Sequence, residues 1–474
     1  MLCALLQPLK RRVWRGPVLV MTLVVAGIEP AHAAQSPSDS LQLRKAAQYL
    51  EAGDQSKAEQ ILQMILKKRP DLAAALNLLG VLRGQQQHFE EAEALFQRAL
   101  RINPRLTSAY VNLGTLYKQN NRPALALSSF ETAARLFPSN PEILRNLALL
   151  YADRGEFAAA ARALQAIPVK VRPLDYWDLL ARFFVTEGDF AKAEESLRQV
   201  LVQRPDSIST LRQLAGVALK RGGRQRAWRY LAEAVRLAPN SPDLLYEFAQ
   251  VSIGNNLTAE AVLAMRKAIL LEPNRPEFLF SLGNALLNTQ DFHSALSYLN
   301  RYAQLKPDDP AGQLSLGWAL YLEKDFEGAR NHLEESLRLN PEQVDAYYHL
   351  GMIAYETGDK SHAVELFSRV VERRPADARA HLGLGTVYFS EREYEKARLS
   401  LEASARIDSG EPKVHYQLMQ VYARLGDQAR ARQEQELYTE AQKKAEERIK
   451  LSEGLPFSAP ANRRAKSKQG EPDR

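Results

Sequence analysis

A fixed spacing of 34 residues between prolines is the feature that most constrains how this chain can fold. Two series share this spacing, and their members are Pro70, Pro104, Pro138, Pro205, Pro239, Pro273, Pro307, Pro341 and Pro375. The step between the two series is 67 residues, which corresponds to two repeats with one residue deleted. A constant period of this length indicates one repeated supersecondary unit, so the number of domains does not follow from the chain length.

Other residue types keep the same period and predict two helices in each unit. In the unit that follows Pro104 they are Tyr110, Gly114, Tyr117, Ala126, Phe130, Ala133 and Pro138. Apolar residues recur at intervals of three, four and seven, as they do on one face of a helix. Small residues such as Gly114 and Ala126 would let the two helices approach closely, and pairs such as Gly188-Asp189 predict the turn between them. Proline ends the second helix because it lacks a backbone N–H and clashes with the preceding turn.

These residues and their spacing resemble the tetratricopeptide repeat, whose pattern is a bulky residue, Leu-Gly, Tyr, Ala, Phe, Ala and Pro. The resemblance covers residues 39–445 and implies an all-α fold, a right-handed α-solenoid of about twelve antiparallel helix pairs. The unit at 141–173 lacks one residue and contains Pro168, so we expect a short second helix and a local change of superhelix. The last unit is expected to continue as a longer, charged capping helix that ends within 446–454.

The two ends of the chain differ from the repeats. Basic residues, an apolar stretch and the small residues of Ala31-His32-Ala33 predict a signal peptide over residues 1–33, cleaved after Ala33. A retained membrane anchor is the alternative, although the apolar stretch is shorter than the roughly 20 residues that cross a bilayer. Residues 455–474 are rich in Pro, Ser, Lys and Arg and predict a disordered basic tail. We therefore expect a periplasmic or secreted protein, attached to a membrane only if the signal is kept.

Composition narrows the classes of function. The single cysteine, Cys3, lies in the predicted signal, so the mature chain would have no disulfide and no cysteine nucleophile or metal ligand. The formal net charge is +7 for the whole chain, with part of the excess in the predicted signal and tail, which argues against a nucleic-acid partner. Phosphate-binding loops and nucleophile elbows are absent from the sequence, so we predict no enzyme activity, no cofactor and no metal site.

The resemblance also implies where a partner would bind. In this family the first helix of each repeat lines a concave groove through its second, fifth, ninth and twelfth positions. Carried over to this sequence, these positions include several aromatic residues in repeats seven to twelve and three arginines, with Asp178 between them, in repeats four to six. The predicted partner-binding residues are Tyr246, Phe280, Trp318, Tyr321, Tyr348, Tyr355, Phe389, Tyr416, Arg145, Arg182 and Arg212. Aromatic side chains offer a large contact area at low entropic cost, so this row could hold a peptide or stack on sugar rings.

Each of these residues also has a structural interpretation. The tyrosines and Trp318 could pack against neighbouring helices, and the arginines could be solvated or paired with Asp178. Histidines at the bulky fourth position of a repeat, such as His415, are expected to pack. Carboxylate pairs such as Glu194-Glu195 are expected on the solvated faces of second helices.

The pattern favours a non-catalytic protein–protein interaction scaffold or adaptor of the bacterial envelope, which binds an extended partner segment in its concave groove. The alternative is a periplasmic scaffold for exopolysaccharide synthesis or export, which binds carbohydrate or the export machinery. A third interpretation is the binding half of an enzyme encoded separately, by analogy with glycosyltransferases that carry such arrays. The expected partner is a protein or peptide, or else a polysaccharide.

Overall fold

The computed structural model describes residues 37–173 and 175–453, and the regular elements within these ranges are all helical. The chain divides into two compact units, of which the first ends at Leu237 and the second begins at Ala238. The predicted signal peptide at 1–33 and the predicted tail at 455–474 lie outside the described residues.

Each unit consists of helices that pack in consecutive pairs, and each pair packs against the next pair of its unit. The helices of the first unit are α1 (Pro37–Glu51), α2 (Gln55–Lys68), α3 (Ala73–Gln85), α4 (Phe89–Ile102), α5 (Thr107–Gln119), α6 (Pro123–Leu136), α7 (Pro141–Asp153), α8 (Phe157–Gln165), α9 (Tyr176–Glu187), α10 (Phe190–Gln203), α11 (Ile208–Lys220) and α12 (Arg224–Leu237). Those of the second unit are α13 (Pro242–Ile253), α14 (Thr258–Leu271), α15 (Pro276–Asn288), α16 (Phe292–Leu305), α17 (Pro310–Leu322), α18 (Phe326–Leu339), α19 (Val344–Glu356), α20 (Lys360–Arg373), α21 (Ala378–Ser390), α22 (Tyr394–Ile407), α23 (Pro412–Leu425) and α24 (Gln428–Glu453). The predicted all-α array of about twelve helix pairs is confirmed, and the pairs are numbered below as repeats one to twelve.

Close packing within a pair depends on a glycine of the first helix that faces a bulky side chain of the second. A Cβ atom added at Gly114 of α5 would lie 2.4 Å from Cε2 of Phe130 of α6. In the second unit, a Cβ atom at Gly283 of α15 would lie 2.6 Å from Cγ of Leu299 of α16. A larger residue at either glycine would push the helices apart, which is the physical reason for the glycine in the repeat pattern.

The turn between the two helices of a described repeat contains one residue with a positive φ angle. In half of the repeats this residue is a glycine, such as Gly188 with φ of 86°. The others are Gln87, Asn121, Asn256, Gln290, Lys324 and Arg392. The residue that follows is often an aspartate that caps the second helix, as Asp189 does by accepting a hydrogen bond from the backbone N–H of Lys192.

The fourth repeat has the short second helix that the sequence predicts. Helix α8 ends at Gln165, and Pro168 precedes a short 3₁₀ helix, Val169–Val171. Proline fixes its φ angle and donates no backbone hydrogen bond, so the helix stops before it. The change of superhelix expected here stays a prediction.

The last helix is longer than the other second helices, as the sequence predicts, and its role as a cap of the array stays a prediction. Helix α24 has 26 residues, whereas α22 has 14. Ala431 and Ala441 of α24 are buried, and most of its other described side chains are exposed. This helix packs along α23, its partner in repeat twelve.

Candidate functional site

Successive first helices of the second unit are joined through the ninth position of one repeat and the sixth position of the next. Gln250 Nε2 donates to Ser281 Oγ at 2.6 Å, and Ser315 Oγ donates to Asn284 Oδ1 at 3.0 Å. The same pair of positions is hydrogen-bonded between repeats eleven and twelve at 3.0 Å. These polar side chains therefore hold neighbouring repeats together. They include the ninth-position residues, which the resemblance to the family places in a groove.

Trp318 of α17 occupies the ninth position of repeat nine and contacts the sixth position of repeat ten through aromatic stacking instead of a hydrogen bond. Its ring stacks on the imidazole of His349 of α19, with centroids 4.2 Å apart and an angle of 26° between the planes. On its own helix it stacks on Tyr321, with centroids 5.0 Å apart and an angle of 12°. The indole ring therefore lies between two rings of the fold and belongs to the junction of repeats nine and ten.

His349 carries no charge at neutral pH in this environment. Burial is the main cause that lowers the pKa of its imidazole from 6.5 to about 4, with Asp345 opposing the change and Arg379 adding to it. Its Nδ1 atom is buried and has no hydrogen-bond partner among the described residues. A neutral, poorly solvated imidazole is suited to stacking against Trp318.

Tyr348, the fifth-position residue of repeat ten, lies beside a charged network. The guanidinium carbon of Arg379 is 4.8 Å from the Tyr348 ring centroid, within the range of a cation–π contact. Asp345 accepts hydrogen bonds from Arg379 at 2.8 Å and from Arg374 at 3.1 Å. Burial opposes ionisation of Asp345, but these two arginines outweigh it and hold the pKa of the carboxyl below its ordinary value. Charge in this network is balanced, since Asp377 also pairs with Arg379.

Most of the other predicted aromatic residues contact rings of neighbouring helices. The pairs are Tyr246 with Phe278 at 5.3 Å, Phe280 with Tyr302 at 4.9 Å, Tyr321 with Phe326 at 5.7 Å, and Phe389 with Tyr394 at 5.8 Å between centroids. Tyr355 packs against the hydrophobic core of repeats nine to eleven. These side chains are partly buried, so packing occupies much of their surface, and a role in partner binding stays a prediction.

Tyr416 differs from the other predicted aromatic residues because its side chain is 42% exposed. It lies in a cleft of about 450 Å³ between α23 and α24, opposite Tyr438, with the two ring centroids 5.5 Å apart. The cleft is also lined by Glu411, Pro412, Lys413, Gln442 and Glu446. This arrangement combines two aromatic rings with donors and acceptors of both charges in one open concavity.

The three predicted arginines occupy different environments. Arg145 of α7 pairs with Asp175, and its Nε atom donates to Oδ2 at 3.1 Å. Arg182 is exposed and Arg212 is partly buried. Asp178, the proposed partner of these arginines, forms an ion pair with Arg204. Arg145 therefore pairs with Asp175 rather than with Asp178, and Asp178 pairs with an arginine that follows α10.

Glu194 is also placed differently from the sequence interpretation. Its side chain is 2% exposed and forms ion pairs with Arg198, Arg221 and Arg226, whereas the neighbouring Glu195 is exposed as expected. A solvated face for Glu194 is therefore wrong. Three arginines from two successive repeats meet at this carboxylate, a grouping that the spacing of the sequence did not suggest because Arg221 and Arg226 lie 27 and 32 residues away.

Histidines at the fourth position of a repeat have the packing role that was expected. His415 is buried, with Nδ1 2.7 Å from Glu434 Oε2 and Nε2 3.1 Å from the Ser409 carbonyl oxygen. Nε2 of His381 lies 3.0 Å from the Pro375 carbonyl oxygen. In both repeats the imidazole therefore ties the first helix to the end of the preceding second helix.

Among the described residues, no three His, Cys, Asp or Glu side chains are grouped so that they could hold a metal ion. Within the same residues, none of the helices has the length and apolar character that crossing a membrane requires.

The stacked helix pairs define a helical repeat protein, and comparison with known families identifies its kind. Sequence profiles described as tetratricopeptide repeat match residues 40–71, 73–106, 111–173, 246–310, 320–387 and 412–434. The chain belongs to the tetratricopeptide repeat family. The fold of this family is generally a non-enzymatic scaffold for protein–protein interaction, and this chain has that fold.

The chain is also similar to several solved structures. A structure of Naa15/Naa10 bound to HypK-THB matches with 19% sequence identity over 84% of this chain and 68% of that chain, at a TM-score of 0.43. The APC/C hetero-tetramer Cut9–Hcn1 matches with 16% identity over 81% and 83% of the two chains, at a TM-score of 0.42. MamA from Desulfovibrio magneticus RS-1 matches with 26% identity over 36% and 96%, at a TM-score of 0.34. A search of curated protein sequences finds no match.

Proposed function

We propose that this protein is a non-catalytic adaptor of the bacterial envelope, which binds an extended segment of a partner protein along the first helices of its second unit. The observation that carries the proposal is the open cleft at Tyr416. There the family's binding position presents an exposed aromatic ring, whereas the other predicted aromatic residues are partly buried.

The chemistry of the cleft suits a peptide. The rings of Tyr416 and Tyr438 can cover an apolar side chain, and their hydroxyl groups can hydrogen-bond to a peptide backbone. Lys413 and Glu411, at the start of α23, supply one charge of each sign at the rim of the cleft. Such a combination of aromatic anchors within a polar rim is typical of protein recognition surfaces.

Site-specific photocrosslinking tests this proposal. A photoreactive phenylalanine analogue at position 416 should form a discrete crosslinked product with an envelope protein, identified by mass spectrometry. The matched control places the same analogue at Leu399 on α22, which is 58% exposed and lies on a second helix. Equal products from both positions, or none from position 416 in cells that contain the partner, would contradict the proposal.

A Tyr416→Ala variant then separates protein binding from carbohydrate binding. We expect it to abolish the crosslink formed from a second cleft position, Gln442, while leaving helical content unchanged. If polysaccharide fragments compete for the cleft and no protein is crosslinked, the exopolysaccharide scaffold replaces the adaptor.

The proposed location in the periplasm, or outside the cell, rests on the sequence of residues 1–33. Expressed in a Gram-negative host, the chain should be released by osmotic shock, and sequencing of its new N-terminus should begin at Ala34. Retention with the membrane fraction would indicate that the predicted signal is kept as an anchor.

A further inference from the structure

Repeat six carries a large local excess of positive charge. Helices α11 and α12, with the turn between them, carry one acid, Glu233, and the bases Arg212, Lys220, Arg221, Arg224, Arg226, Arg229 and Arg236. This excess of six positive charges is close to the +7 of the whole chain. By contrast, repeat nine, from Pro310 to Leu339, contains more acids than bases. A local excess of this kind produces a positive potential at the surface of one repeat.

The ion pairs around Glu194 leave this charge on the surface. Arg198 donates to Glu194 Oε1 at 2.6 Å, Arg226 Nη1 lies 3.3 Å from the same oxygen, and Arg221 pairs with Oε2. The Glu194 side chain is only 2% exposed, whereas those of Arg198, Arg221 and Arg226 are 51%, 35% and 43% exposed. The single negative charge is therefore covered, and an approaching molecule meets three guanidinium groups.

The same contacts hold the three guanidinium groups in place. The nearby Tyr230 side chain on α12 also raises the pKa of the Arg198 guanidinium group. Each guanidinium group has five N–H donors, so contact with Glu194 leaves donors available to another anion. Side chains that are already ordered lose less conformational entropy on binding, which makes such a cluster a better anion site than mobile surface lysines.

We infer that this cluster, formed by Arg198, Arg221 and Arg226 over Glu194 and flanked in sequence by the exposed Lys220, Arg224 and Arg229, docks an acidic segment of a partner protein. Arginine pairs with carboxylates in a planar, two-point geometry, so Asp and Glu side chains match it. Its residues lie on α10, just after α11 and in the first turn of α12, and none of them is a predicted first-helix position. The inference rests on the proposed function only in taking the partner to be a protein.

Fluorescence anisotropy tests the inference with the full chain and a short labelled peptide of alternating Glu and Ser. We expect this peptide to bind, its Gln-Ser counterpart to bind much more weakly, and added NaCl to weaken binding because exposed charges are screened. The double variant Arg221→Gln/Arg226→Gln should raise the dissociation constant about tenfold or more. The matched control, Arg330→Gln/Arg338→Gln on α18, removes the same charge from repeat nine and should leave the constant unchanged.

The double variant leaves Glu194 with fewer partners and could unfold repeat six, so a second variant is needed. Lys220→Gln/Arg229→Gln keeps all three contacts to Glu194 and should weaken binding by about threefold to tenfold with unchanged helical content. Equal binding of the Gln-Ser peptide, or equal loss in the control variant, would overturn the inference.

Other polyanions decide the class of partner. Tighter binding of a single-stranded oligonucleotide, a sulfated polysaccharide or anionic vesicles than of the acidic peptide at equal charge would overturn the assignment to a protein segment. Failure of the acidic peptide with an intact crosslink from position 416 would refute this docking site alone. Loss of the crosslink with retained peptide binding would refute the proposed function of the cleft.

Discussion

Repeats five and six of the first unit and repeats nine and ten of the second join neighbouring helix pairs with different chemistry. In the first unit, a buried glutamate collects three arginines from two repeats. In the second, Trp318 stacks on an uncharged histidine of the next repeat. The first contact, the ionic junction at Glu194, leaves positive charge at the surface. The second contact, the stacked junction of Trp318 and His349, places its rings against each other. A position that faces a groove in this family therefore does not by itself identify a binding residue.

The largest expected effect comes from removing the stacked ring. Trp318→Ala deletes contacts with both His349 and Tyr321, and we expect it to lower the free energy of unfolding by about 3 kcal/mol. Urea unfolding, together with hydrogen exchange of α17 and α19, measures the change. Trp318→Phe keeps one aromatic ring and should lose about 1 kcal/mol. If Trp318→Ala lost less unfolding free energy than Trp318→Phe, stacking would contribute little to the junction.

The stacked junction should also respond to pH through His349. Its imidazole has a pKa lowered to about 4 in the folded chain, against an ordinary 6.5, so the unfolded chain binds the proton first as the pH falls. The free energy of unfolding should therefore decrease as the pH falls from 6.5 to about 4, by about 3 kcal/mol at most. Above pH 6.5 the stabilisation by the neutral imidazole is fully present.

A His349→Phe variant provides the control for this pH dependence. In this variant the decrease in unfolding free energy that His349 causes between pH 6.5 and about 4 should be absent, as measured by urea unfolding at several pH values. NMR titration of the wild-type imidazole gives the pKa directly, and a value near 6.5 would contradict the proposed desolvation.

The ionic junction should be sensitive to loss of its single acid. Glu194→Gln leaves three arginines without their shared counter-charge, and we expect a loss of about 2 kcal/mol. This is less than the usual cost of breaking a fully buried pair, because the guanidinium groups remain partly solvated. Glu195→Gln changes the adjacent exposed residue and should cost less than about 0.5 kcal/mol. Equal effects of the two substitutions would show that the cluster does not depend on burial of its acid.

The smallest expected effects come from substitutions in the turns of repeats five and nine, one in each of the two regions compared. Repeat five uses Gly188 at φ of 86°, whereas repeat nine uses Lys324 at φ of 66°. Glycine adopts this conformation without a Cβ clash, so Lys324→Gly should stabilise the chain by about 0.5 kcal/mol and Gly188→Ala should destabilise it by about 1 kcal/mol. Thermal unfolding measures both, and the same sign for the two substitutions would contradict this explanation.

The sequence by itself determined the helix pairs of this protein. The period of the prolines, the glycines that face Phe130 and Leu299, and the turn residues such as Gly188 are local requirements, so their spacing is visible in the chain. Pro168 similarly predicted the end of α8, because its effect on a helix is covalent and local. These features also led to the family, which the sequence profiles confirm.

Tertiary structure decided how the predicted site residues are used. Which ring meets which depends on the stacking of one repeat on the next, and Trp318 meets a histidine 31 residues later, which neither helix specifies alone. Burial of Glu194 likewise involves Arg221 and Arg226 of the next repeat as well as Arg198 of its own helix. Sequence period determines the face of a helix on which a side chain lies, but only packing between repeats determines whether that face meets solvent, an opposite charge or another ring.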